Sequence, residues 1–330
     1  MKSQDPNYDT LIHNVIDFTK EYIYPRIQND YLSCANGPYK HKESPLRSLC
    51  HFGVIYAYGT IYIDKKYKVY ADVIIKELLS NLSDATIKFR LQDGVDHGNG
   101  VIGCAWILEC LYYYQKNLDY NFDDIVIELF NSFEFDYQNS RFKRQHEDRK
   151  YGIYDNTFNH NLWLIYGFSL YDHIQPVKKL VDNYKKNHLK LVYYPDGIIY
   201  HKCLDGKPTS LRSKIRFLKW YPKSVSYQYF NIHALRRLMR NDHDNKMSLV
   251  INFKPNILHV LIMIFQKHGL RYNPSGWNIR NETSIYEKIL ILVNNLLLKV
   301  SLRIKNKYFN WDHKRLISRI YEKVPFFDDN

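Results

Sequence analysis

Cysteine is scarce in this chain of 330 residues and badly spaced for covalent work. There are five, Cys34, Cys50, Cys104, Cys110 and Cys203, an odd number with no CxxC pair. Cys104 and Cys110 stand six apart in one helical pattern, poor geometry for a disulfide or a zinc site. A reduced, cytoplasmic setting is therefore expected. The N-terminus has Asp5, Pro6 and Asp9 where a signal peptide needs an apolar core, so no secretory signal is expected. Long apolar runs are missing too. The most apolar stretch, 289–302, is interrupted by Asn294, Asn295 and Lys299 and falls short of the ~20 residues of a membrane span. It reads as a buried or amphipathic helix, and the lysines and arginines around it suit peripheral contact with an acidic membrane surface.

Acidic residues are outnumbered, 34 against 47 Lys and Arg, giving a formal charge of +13. The expected partner is anionic: an acidic polysaccharide or oligosaccharide, acidic lipid headgroups, or nucleic acid. The basic stretches 141–146 and 212–220 interleave aromatics as a nucleic-acid binder would, but no RRM, KH or helix-turn-helix pattern surrounds them, and nucleic acid is set aside. Also absent are a P-loop, a GxGxxG after a strand, HExxH, GxSxG and a kinase signature. No cofactor is expected. His97 and His201 with Asp96 have no spacing that fixes a metal, so none is assigned.

What is present is helical periodicity. The 3.6-residue pattern predicts helices over 11–27, 46–63, 70–82, 101–114, 122–133, 161–171, 177–191, 227–239, 257–268, 285–304 and 316–324. The turn Pro195-Asp196-Gly197 between short apolar groups predicts one β-hairpin. No Gly/Ser/Pro-rich linker divides the chain and no fixed-period repeat is visible. The expected architecture is a single all-α domain over 1–330, an (α/α) toroid of antiparallel helix pairs, with its site among the loops at one mouth.

Polar, ionisable and aromatic residues concentrate in a few segments. Asp93 to Gly100 sets His97 and Asn99 among glycines before a helix N-terminus, which favours an anion, and that helix carries Trp106 and Glu109. Asp155 to Trp163 holds Asp155, Asn156, Thr157, Asn159, His160 and Asn161 where a helix cap needs only one such residue. Asn159 and His160 are suited to neutralising a carboxylate or binding a sugar. The hairpin ends at Tyr200-His201, where a histidine can move protons near neutral pH. The segment 223–235 puts Tyr227 and Asn231 on one helix face, with Ser226, Gln228 and His233 beyond what an apolar face requires. Tyr272 to Arg280 brings Asn273, Trp277 and Arg280 to a loop; Trp stacks on sugars and Arg grips carboxylates.

In this order the motifs resemble the AglQ-like helical-toroid proteins of surface-polysaccharide and glycosylation gene clusters. The match rests on His97 to Gly100 with Trp106 and Glu109, then Thr157 to His160 with Leu162 and Trp163. It continues through Asp196 to His201, Lys223 to Leu235, Tyr272 to Gly276 and Arg319 to Glu322. More distantly, the Asn-His pair, the hairpin and the tyrosine-bearing helix are similar to polysaccharide lyases of the heparinase and alginate-lyase type. That similarity implies β-elimination, or C5 epimerisation, at a uronic acid. Asn159 and His160 would neutralise the carboxylate, Tyr227 would act as base or acid, and His201 would be a second proton-transfer group. His97, Asn99, Trp106, Glu109, Asp155, Trp163, Asn231, Asn273, Trp277 and Arg280 would contact substrate. The large β-sheet domain of many such lyases is missing. A glycoside hydrolase using Asp96 or Glu109 with Asp155 is the alternative enzyme, although its two carboxylates are scattered here. A non-catalytic adaptor in a polysaccharide-assembly complex is the alternative without chemistry.

Overall fold

The computed structural model describes residues 6–22, 35–36, 41–82, 87–93, 98–143, 154–204, 208–239, 248–270, 272–279, 284–303 and 319–323. The chain is all-α. Helices α1 (Pro6–Tyr22), α2 (Leu46–Tyr62), α3 (Lys68–Leu82), α4 (Ile102–Asn117), α5 (Asp123–Asn131) and α6 (Phe158–Ser169) come first. They are followed by α7 (Gln175–Asn183), α8 (Leu211–Lys219), α9 (Tyr221–Leu238), the single turn α10 (Ser248–Ile251), α11 (Ile257–Phe265) and α12 (Ile285–Arg303). Among the described residues, strand pairing is limited to two two-residue antiparallel pairs and a few isolated bridges. One bridge, Tyr193 to Ile199, closes the expected hairpin, and Gly197 takes φ +85° at its turn.

Three segments depart from the periodicity. The pattern over 177–191 leaves the α-helix at Asn183 and finishes as a π-turn, Tyr184–His188, with Leu189 N–H reaching the Tyr184 carbonyl. Residues 319–323 form a 3-10 turn. Helix α8 was not anticipated. Its outer side is apolar and exposed, so the burial-based pattern of a core helix does not fit it. It starts where Ser210 accepts a hydrogen bond from Ser213 N–H at 3.2 Å, an N-cap.

The residues group into two compact units. Unit 1 gathers residues 1–99, 106–122 and 296–330 around α2. Helix α2 is buried on every side from Leu46 to Thr60, the signature of a helix at the centre of a core. Helix α1 docks on it through a 2.8 Å hydrogen bond between the Thr19 and Tyr56 hydroxyls. Gly53 permits close packing: a Cβ there would lie 2.4 Å from Cys110 Sγ.

Unit 2 holds residues 100–105 and 123–295. Its centre is the pair α6 and α9, where Trp163 stacks on Phe230 with centroids 4.2 Å apart. Gln228 on α9 clamps the hairpin, accepting from Ile199 N–H at 2.9 Å and donating to the Gly197 carbonyl at 3.0 Å. The polar excess at Gln228 is thus structural. Asp196 at the hairpin tip accepts from Tyr221 and from His259 Nε2 at 3.1 Å, tying hairpin, α9 and α11 together. His259 also completes the capping box of α11 with Asn256. No described helix is long and apolar enough to cross a membrane, and no disulfide is present among the described residues.

Candidate functional site

The densest chemistry lies in unit 2, where the N-terminus of α6, the end of the hairpin and the first half of α9 meet. Phe158 N–H donates to the His201 carbonyl at 3.0 Å, and His201 N–H donates to Ser224 Oγ at 3.1 Å. These backbone bonds put residue 201 beside both helices.

Asp155 is the anchor. It is buried, and accepts from Val101 N–H at 3.1 Å, Thr157 N–H at 2.9 Å and His160 Nδ1 at 2.8 Å. Burial alone would raise its pKa. The His160 charge and hydrogen bond, with the two backbone donors, overcome that and hold the carboxyl down at about 2. An ionised carboxylate only accepts, so His160 Nδ1 is the donor of this bond. Gly100 makes room: its φ is +68°, and a Cβ there would lie 2.1 Å from Asp155 Oδ2.

The surplus polarity of this segment now divides. Asn161 is structural, accepting from Phe142 N–H at 2.8 Å and donating to the Asp155 and Thr157 carbonyls. Thr157 occupies the helix cap position, but its hydroxyl makes no cap bond and accepts from Lys202 Nζ at 3.4 Å instead. Asn156 accepts from Arg141 at 2.7 Å on the surface. Asn159 differs: it is buried, and its Oδ1 has no hydrogen-bond partner.

His201 is also buried, with Nδ1 unpartnered. Burial first, then the charges of Lys223 and Lys202, push its pKa well below the ordinary histidine value, so it is neutral. Its ring lies 4.9 Å from that of Tyr227 and stacks on Trp220 at 5.5 Å. One turn beyond Tyr227, Asn231 is buried with both amide atoms unpartnered. Asn159, His201 and Asn231 thus each carry a buried polar atom without a protein hydrogen-bond partner in this unit.

Trp163 is fully buried, and its indole N–H donates to the Phe230 carbonyl at 3.2 Å, so it packs α6 on α9 and presents no face to a sugar. The expectation that residues 272–280 form a mouth is also corrected for Trp277. That residue is fully buried in the 3-10 turn Ser275–Asn278, which is held by Gly276 N–H to Asn294 at 2.8 Å and Ser275 to the Ser226 carbonyl at 3.2 Å. Asn273 is buried in the same loop and donates to the His268 carbonyl. Arg280 and His97 lie outside the described residues.

Asn99, Trp106 and Glu109 belong to unit 1. Asn99 is buried, takes φ +55° and accepts from Arg90. Arg47, paired with Glu43 at 3.0 Å, lies 4.1 Å over the Trp106 ring, and His51 meets that ring edge-on at 5.3 Å. Glu109 is buried on the same helix. Sequence reading missed Arg47 and His51 because their helix is otherwise uniformly apolar; their i, i+4 spacing was the available signal. It also missed Trp220, with Lys202 and Lys223 ammonium groups 5.0 and 5.2 Å from its ring.

The pKa of Asp155 sets an acid limit. A carboxyl lowered in the fold contributes stability above its unfolded value of about 3.9 and loses it as pH falls through about 2. This group should cost about 2 kcal/mol between those limits, and chemical unfolding at stepped pH should show that part of the slope missing in Asp155→Asn. His201, neutral in the fold, acts earlier: its share of stability is complete above about 6.5 and falls below that pH.

In this helical unit His160 is held by the buried Asp155 carboxylate, and the buried, neutral His201 lies beside the half-buried Tyr227. No protein-family model matches the sequence, and no solved structure matches it. The chain is 28% identical over 177 residues to Archaeal glycosylation protein Q of Haloferax volcanii. The alignment takes in 50% of this chain and 47% of that protein, so the chain spans about half the length of the curated relative. The likeness to AglQ-type proteins therefore stands as a distant and partial one. Among the described residues no three His, Cys, Asp or Glu side chains are grouped to hold a metal ion.

Proposed function

We propose that the chain is an enzyme of surface-glycan metabolism that removes the C5 proton of a uronic acid in an acidic glycan, with β-elimination or epimerisation following. The supporting observation is His201, buried, neutral and with Nδ1 unpartnered, beside Tyr227. In the elimination, His201 accepts the C5 proton, the C5 electron pair forms the C4=C5 double bond, the C4–O bond breaks, and Tyr227 gives its proton to the leaving oxygen. His160, backed by Asp155, and Asn159 hold the substrate carboxylate, which makes the C5 proton easier to remove. The relative's name, a glycosylation protein, supports a glycan as substrate, and a net charge of +13 suits an anionic one.

Geometry disfavours Asp155 as the general acid of a hydrolase. A carboxyl held at about 2 and already accepting three hydrogen bonds has no proton to give a leaving group. The proposal carries with it a single-domain toroid over 1–330, a cytoplasmic site of action and peripheral contact of α12 with acidic membrane. The proton chemistry depends on none of these.

The test is a panel of acidic and neutral polysaccharides followed by ultraviolet absorbance and by reducing-end detection, with a proton-exchange assay at C5 for epimerisation. New ends with absorbance at roughly 230–235 nm, or C5 exchange without new ends, are expected, since general acid–base groups act on that proton. New ends without absorbance would mean hydrolysis. No turnover with any acidic glycan would leave the adaptor reading.

A further inference from the structure

Helix α8 is anchored on one side only. Phe217 packs 4.2 Å from Tyr194 and 4.6 Å from Tyr200, and its carbonyl accepts from the Tyr194 hydroxyl at 2.6 Å. On the opposite side Leu211, Ile215 and Leu218, spaced i, i+4 and i+7, are 75%, 50% and 63% exposed. Not one residue of the helix is buried. An apolar stripe directed away from the core of its unit contributes nothing to folding there, and its exposure costs solubility.

Cations border the stripe. At 100° per residue, Arg212 and Lys219 flank it on one edge and Lys214 on the other, with Arg216 behind Arg212, and all four are exposed. From Pro208 to Lys223 the chain carries five Lys or Arg and no acid. Apolar residues on one face with cations along both edges match a helix that lies in the plane of a lipid interface: the apolar residues enter the acyl boundary and the cations meet headgroup phosphates.

We propose that α8 docks the protein on a membrane surface rich in anionic lipid. The charge pattern selects this occupant. A second copy would bring a like-charged stripe against this one in a two-fold contact, and the cations would repel. Helix α11 gives the contrast: Ile257, Leu258, Leu261 and Phe265 are exposed, but the helix holds no Lys or Arg to mark a lipid surface. The inference is independent of the proton chemistry proposed for His201 and Tyr227.

Flotation of the full chain with vesicles tests it, using phosphatidylcholine alone or with about one third phosphatidylglycerol, at low and high salt. Wild type should float with the anionic vesicles only and release at high salt. The triple variant Leu211→Ser, Ile215→Ser, Leu218→Ser should bind at least about tenfold more weakly with unchanged circular dichroism. Charge removal at Arg212, Lys214, Arg216 and Lys219 by Gln should cost about fivefold per cation. A wild type that does not float would overturn the proposal. So would full binding by both variants with loss only in Leu292→Ser, Leu296→Ser on α12, or self-association that the triple variant abolishes.

Discussion

Tyr227→Phe should lower turnover of an acidic glycan by about 10²–10⁴-fold while leaving binding within a few-fold, because it deletes only the oxygen that protonates the leaving group. The ring itself is kept, and with it the 4.9 Å approach to His201 and the contact with Phe230. The loss should fall in kcat with KM nearly constant. His201→Gln should do comparable damage and also remove the alkaline-favoured limb of the pH profile. Turnover by Tyr227→Phe within about threefold of wild type would remove Tyr227 from the proton path. A rise in KM with constant kcat would reassign it to binding.

Gly100→Ala should be strongly destabilising. The new methyl must adopt φ +68°, which costs about 1 kcal/mol in a left-handed conformation. It must also displace Asp155 Oδ2 and His160 Nδ1, which its Cβ would meet at 2.1 and 2.5 Å. Moving either one leaves the buried Asp155 carboxylate short of a hydrogen-bond donor, which costs about 3 kcal/mol for a charged group. Urea unfolding should therefore show a loss on the order of 4 kcal/mol or more. A loss under about 1 kcal/mol would mean that the pair tolerates displacement and that Asp155 does not anchor His160.

Helical periodicity carried most of the fold, because most helices bury one face and leave the 3.6-residue signature. It failed at α8, whose apolar side faces outward and whose cations made it resemble a nucleic-acid segment. Density of polar residues pointed to Asp155, Asn159, His160, His201, Tyr227 and Asn231, and all of them fall in unit 2. Density alone could not separate Asn161, consumed by backbone groups, from Asn159 two residues earlier. Only the count of donors and acceptors does that. The tryptophans misled for a related reason: Trp163 and Trp277 sit in polar segments, but their rings are fully buried. A sequence records which residues are neighbours along a helix, not which side of each is already occupied.

The surroundings of Trp220 also make this protein its own optical probe. Among the described residues the other tryptophans, Trp106, Trp163 and Trp277, are buried, whereas Trp220 is partly accessible. Its indole stacks on His201 and lies 5.0 and 5.2 Å from two ammonium groups. An anion that draws Lys202 or Lys223 off the ring, or a proton that lands on His201, changes the field felt by the excited indole. Its emission is therefore expected to shift when an anion or a proton arrives beside that imidazole, without a label.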